Sequence, residues 1–186
     1  MTDITTSAVQ KATKPNIEDV FPHYLEGETL KNALNFIAYL RDIKMKPAWT
    51  LHNVWKSTSK GGVIYYIRLA KSKRDSRNRK KTDTTDWQKS WVFTPYLHNI
   101  NKYEELIISE NLQDFVLSGL QYCMPCTGRL CPTEKTIFGK NIKNLCKGDL
   151  YNGMALWYTN PNEVEIGYLK KMLEFEKQAR IKIGHI

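Results

Sequence analysis

Long apolar runs are missing from this chain of 186 residues. A membrane-spanning helix needs ~18 or more consecutive apolar residues. The longest candidates, such as Val63 to Leu69, are strand-sized, so no membrane partner is expected. Residues Met1 to Lys14 lack the charged start and apolar stretch of a secretory signal, and a cytoplasmic location is the expectation. No Gly-rich phosphate loop, dinucleotide fingerprint or metalloprotease helix occurs. The histidines His23, His52, His98 and His185 have no Ser, Cys or acidic neighbour in a catalytic arrangement. These absences argue against an enzyme. Internal repeats and low-complexity tracts are also absent, which excludes solenoid and linker architectures. Cysteine is confined to one stretch, and basic charge is concentrated in another.

A composition of 41% hydrophobic and 25% charged residues is that of a folded globular chain. Met1 to about Asn16 has few large apolar groups to offset the entropy of ordering, and reads as a flexible tail before a single domain over 17–186. From Leu30 to Ile43 the residues Leu30, Leu34, Ile37 and Ala38 recur at helical spacing, with Pro47 beyond. Trp49 to Lys56 and Val63 to Leu69 flank Lys60-Gly61-Gly62 and predict a hairpin. Alternation puts Val63, Tyr65, Ile67 and Leu69 on one face of the second strand, and Ile64, Tyr66 and Arg68 on the other. Ala70 to Ser90 reads as a long loop to a strand at Trp91-Val92-Phe93, ending at Pro95.

Two short helices are expected over Lys102 to Ile108 and Leu112 to Tyr122, then short strands at Thr136 to Phe138, Ile142 to Leu145 and Met154 to Tyr158. Asn160-Pro161-Asn162-Glu163 predicts a helix start with Asn160 as cap. The helix runs to about Ile181 with Val164, Tyr168, Met172, Phe175 and Ala179 as its stripe. The order of elements predicts an α+β fold, with a mostly antiparallel sheet packed by N-terminal, central and C-terminal helices.

Cys123, Cys126, Cys131 and Cys146 are the only cysteines. In a reducing compartment such a cluster points to metal ligands or free thiols more than to disulfides. Cys123-Met124-Pro125-Cys126 has the spacing at which two thiolates reach one ion. Cys131 and Cys146 would complete a tetrahedral shell, and four thiolates leave no open position for water, so structural zinc is the expected cofactor. The bland alternative is that small buried thiols pack here. A thiol oxidoreductase or zinc enzyme using Cys123 and Cys126 is another, but here the motif follows a helix instead of opening one.

The formal net charge is +9, and Arg68 to Lys81 supplies +7 of it, leaving +2 for the rest. Lys71, Lys73, Arg74, Arg77, Arg79, Lys80 and Lys81 form a basic loop able to bind nucleic acid or another polyanion; a solvated loop is the bland reading. Trp49, Trp55, Tyr66, Trp91 and Trp157 are candidates to line a small-molecule pocket on one sheet face, against ordinary core packing. The favoured function is a non-catalytic binding module of unknown ligand, stiffened by zinc.

Tyr39-Leu40-Arg41, Trp55-Lys56, Cys123/Cys126/Cys131, Phe138-Gly139-Lys140 and Asn160-Pro161 carry a resemblance over most of residues 28–180. The chain resembles small bacterial proteins of uncharacterised function, with a helix, a Trp-rich hairpin and a cysteine-bearing C-terminal half that ends in a helix. The resemblance implies no activity.

Overall fold

The computed structural model describes residues 3–59, 62–69, 89–122, 133–145 and 154–182. Helix α1 (Ser7–Thr13) is capped by the Thr6 hydroxyl, which accepts the Val9 N–H. The segment that reads as a flexible tail is tied down by polar contacts that an apolar tally misses. Gln10 is fully buried; its amide donates to Asn53 Oδ1 at 2.8 Å and its carbonyl oxygen accepts the Asn53 N–H at 2.8 Å. The Trp55 indole N–H donates to the Pro15 carbonyl at 3.0 Å. Helix α2 (Ile17–Val20) and a 3-10 turn over Phe21–His23 lead into α3 (Gly27–Asp42). Ala33, Phe36, Ile37 and Leu40 form the buried stripe of α3; Ala38, expected on it, is exposed.

Strands β1 (Ala48–Leu51), β2 (Val54–Ser59), β3 (Gly62–Leu69) and β4 (Trp91–Leu97) follow. The run expected as one strand is two, because the chain reverses at His52-Asn53. Asn53 takes φ 60°, a left-handed conformation that Asn tolerates better than most residues. Strands β3 and β4 pair antiparallel, as the long-loop reading requires. Strand β4 runs through Pro95 instead of ending there. The Pro95 carbonyl still accepts the Leu156 N–H at 3.1 Å, which keeps β4 in the sheet. Helices α4 (Glu104–Ser109) and α5 (Gln113–Ser118) precede the hairpin β5 (Glu134–Ile137) and β6 (Lys140–Lys143). Then come β7 (Met154–Ala155), β8 (Tyr158–Thr159) and α6 (Glu163–Lys182).

The main sheet has the order β1-β2-β3-β4-β7, with β8 also on β4, and all pairs are antiparallel. With helices at the N-terminus, centre and C-terminus, the fold is α+β. Trp55, Tyr65, Ile67, Trp91 and Phe93 lie on one face, fully buried. Phe36 of α3 meets Phe93 edge-on at 4.8 Å and Trp91 at 6.1 Å, and Phe21 meets Trp91 at 5.9 Å. This is the core. Tyr158 stacks on Phe115 at 4.4 Å, so tightly over Gly119 that a Cβ there would lie 2.6 Å from the Tyr158 ring.

Helix α6 begins two residues later than its sequence predicts. Asn162 and Glu165 form the capping box, with Glu165 N–H to Asn162 Oδ1 at 3.0 Å and Asn162 N–H to Glu165 Oε2 at 2.8 Å. Asn160, expected as the cap, has φ 46° and accepts the Trp91 N–H instead, at 2.9 Å. The buried stripe is Ile166, Leu169, Met172, Leu173, Glu176, Ala179 and Arg180, whereas Val164 and Tyr168 are exposed.

Candidate functional site: a cationic and aromatic sheet face

The five aromatics proposed for one pocket do not share a face. Trp55 and Trp91 are buried in the core, and Trp49, opposite Trp55 in register, sits half-buried beside them. Only Tyr66 and Trp157 lie on the other face. Two clefts among the described residues, one beside Leu106 and Phe175 and one beside Thr136 and Phe138, include none of the five. Sheet geometry separates them, because side chains at odd and even positions point to opposite sides.

That second face has its own order. Lys56 stands opposite Tyr66, and Tyr66 opposite Thr94. The pairings Tyr96 with Ala155 and Val92 with Thr159 share one register, which sets Trp157 opposite Thr94. A row Lys56, Tyr66, Thr94, Trp157 therefore crosses three strands and the link between β7 and β8. Arg68, two residues along β3, sends its guanidinium to 5.3 Å from the Tyr66 ring centre and 5.0 Å from that of Trp157. Since these rings flank Thr94, the guanidinium bridges the strand that carries it. Tyr96 continues the ring array, edge-on to Tyr66 at 5.8 Å and stacked with His98 at 6.2 Å.

The chemistry of this row is donor-rich. Among the described residues neither Arg68 nor Lys56 has a hydrogen-bonded or ionic partner. No strand of the main sheet contains Asp or Glu. Thr94 Oγ1 and Trp157 Nε1 are buried without a hydrogen-bond partner, as is Trp91 Nε1 in the core. A buried polar group left unpaired costs about 1–3 kcal/mol, and native structures keep few of them.

The chain matches no family model, no curated protein and no solved structure. Its site is therefore read from its own residues.

Two histidines are tied to the backbone through one ring nitrogen. His52 Nε2 lies 2.9 Å from the Thr5 carbonyl and His98 Nε2 lies 2.8 Å from the Val63 carbonyl. A carbonyl only accepts, so each of these nitrogens carries its proton and donates. Burial raises the hydroxyl pKa of Tyr39, Tyr65, Tyr103 and Tyr158 above the ordinary phenol range, so none of these is poised to lose a proton near neutrality.

Cys123, Cys126, Cys131 and Cys146 lie outside the described residues, and so do Lys71, Lys73, Arg74, Arg77, Arg79, Lys80 and Lys81. Among the described residues no three His, Cys, Asp or Glu side chains converge as a metal site would require. The residues that flank the cysteines do converge. Tyr122 forms an antiparallel bridge with Leu145, and the Leu145 N–H donates to the Thr133 carbonyl at 3.2 Å. Tyr122 directly precedes Cys123, Leu145 directly precedes Cys146, and Thr133 is two residues after Cys131.

The sequence reading placed Arg68 on one strand face with Tyr66 but left Lys56, Arg68 and Thr94 out of the candidate pocket. The alternation in β3 and the lack of acids in the strands of the main sheet were the available signals.

Proposed function

We propose that this protein is a non-catalytic binding module whose C-terminal half is fixed by a structural zinc ion on Cys123, Cys126, Cys131 and Cys146. The observation that supports it is the meeting of Tyr122, Thr133 and Leu145, which join chain segments separated by up to 23 residues next to three of the four cysteines. Four thiolates suit tetrahedral zinc and close its shell, which gives the ion a folding role instead of a hydrolytic one. Reduced thiols belong to a cytoplasmic setting, which is part of this reading. Among the described residues no helix is long and apolar enough to cross a membrane.

Metal analysis of protein purified without added metal is expected to find one zinc per chain. Cys123→Ser is expected to lose the metal and the cooperative melt. Metal-free protein with an unchanged melt for the variant rejects the proposal. The oxidoreductase alternative predicts the opposite thiol behaviour: a reactive low-pKa thiolate before any chelator is added, whereas zinc-bound thiols react only after it.

A further inference from the structure

We propose that the sheet face formed by Lys56, Tyr66, Arg68 and Trp157, with Thr94 buried beneath them, binds single-stranded nucleic acid, with backbone phosphate on the Arg68 fork and Lys56, and bases against the aromatic rings. The inference rests on the reading of the protein as a binding module, and supplies the ligand class that reading leaves open.

Three features of the face carry it. First, the Arg68 guanidinium is held between Tyr66 and Trp157 at 5.3 and 5.0 Å, and among the described residues no acid and no carbonyl occupies its N–H groups. A planar donor fork matches phosphate geometry, and one already stacked in place loses little freedom on binding. Second, the sheet holds Lys56 and Arg68 against no carboxylate, so nothing on it repels an anion. Third, Thr94 Oγ1 and Trp157 Nε1 lie unpaired in the same cross-strand row, which leaves the polar groups of this face incomplete within the protein.

The charge pattern sets the size of the ligand, and the rings set its kind. After Arg68 the next 13 residues include seven Lys or Arg and one Asp, a density that suits a polyanion more than a single phosphate. Heparin-like sulfated chains and acidic peptides offer no planar bases to stack, whereas unpaired bases do. In a duplex those base faces are already stacked on each other, so a single strand is the form the rings can use.

The test uses the full chain as purified and a fluorescent oligothymidylate of about 15 nucleotides, with the matching duplex, thymidine monophosphate and heparin as competitors. The oligothymidylate is expected to bind with an affinity that falls steeply with salt. It should be displaced by unlabelled single strand well before duplex or monophosphate. Trp157→Ala is expected to weaken it roughly 5- to 150-fold. Arg68→Lys, which keeps the charge and spares the fold, should still lose most of that affinity because the fork is gone. Absence of binding, equal preference for heparin or duplex, or full affinity in Arg68→Lys overturns the inference. Zinc is measured on every sample. A zinc-loaded protein that ignores the oligonucleotide sinks this inference alone, and a zinc-free protein that binds it sinks only the metal reading.

Discussion

Two arginines beside the same hairpin have opposite surroundings. Arg180 of α6 is buried, with Nε on Glu176 at 2.8 Å, one terminal nitrogen on Ser59 Oγ at 2.6 Å and the other on the Val63 carbonyl at 3.3 Å. Glu176 is saturated in turn, accepting from the Tyr103 hydroxyl at 2.7 Å and from the backbone and side chain of Asn99 at 3.2 and 3.0 Å. Arg68 of β3 touches two rings and has no acceptor among the described residues. A buried charge with a hydrogen bond at each of its three nitrogens is a fastening for the fold. One that is half-exposed, stacked on two rings and without an acceptor among the described residues is available to something else. Within one domain, then, the hydrogen-bond inventory separates structure from candidate function where charge alone does not.

The sharpest way to break the comparison is to remove one half of the buried pair. Glu176→Ala leaves Arg180 buried without its counter-ion, and strands Tyr103 and Asn99 donors with it. Breaking such a pair costs about 3–5 kcal/mol, a large share of the stability of a domain this size. Urea unfolding of the variant is expected to show that loss with an unchanged slope. A change below about 1 kcal/mol would mean that the network is not the fastening described.

A smaller effect sharpens the same point through pH. Burial, then the neighbouring Glu176 carboxylate, raises the Tyr103 pKa well above the usual phenol value. The folded protein therefore holds this proton longer than the unfolded chain. The corresponding stability is complete below pH about 10 and is lost as pH rises beyond it. Tyr39, Tyr65 and Tyr158 add to the decline in the same direction. Tyr103→Phe gives up a hydrogen bond to a charged group, about 1.5–3 kcal/mol near neutrality, but should lose less than the native chain between pH about 8 and 11. Lysine titration is common to both, so the difference in slope isolates Tyr103. Parallel curves would contradict its placement.

Local pattern reached some of this and not the rest. Period-two alternation in β3 correctly put Tyr66 and Arg68 together, and the pairing of β3 with β4 was readable despite the long stretch between them. What stayed hidden depends on remote partners. Glu176 and Arg180 went unremarked, because only Asn99, Tyr103 and Ser59 from distant elements complete them as a buried pair. Gln10 likewise looks like a tail residue until Asn53, 43 positions on, is beside it. Thr94 and Trp157 share a row only once the strand order is known. The four cysteines were visible as a group, but that their flanking residues meet follows from the bridge of Tyr122 to Leu145, which no spacing rule supplies.

The smallest expected effect belongs to Arg68, and its smallness is the point. Replacing it with Met keeps an unbranched side chain of similar reach between Tyr66 and Trp157 while removing the charge and every N–H. No acceptor among the described residues is stranded by the change, so what is lost is the attraction of a cation for two rings, about 1 kcal/mol at a half-exposed site. Removing a positive charge from beside the buried Val92, its cross-strand partner, also lightens a desolvation cost, which pulls the net change closer to zero. Thermal and urea unfolding of Arg68→Met should thus be nearly native, in contrast to Glu176→Ala at the other arginine. If Arg68→Met instead costs as much as breaking the buried pair, Arg68 is a second fastening, and the face it bridges has no claim to be a binding surface.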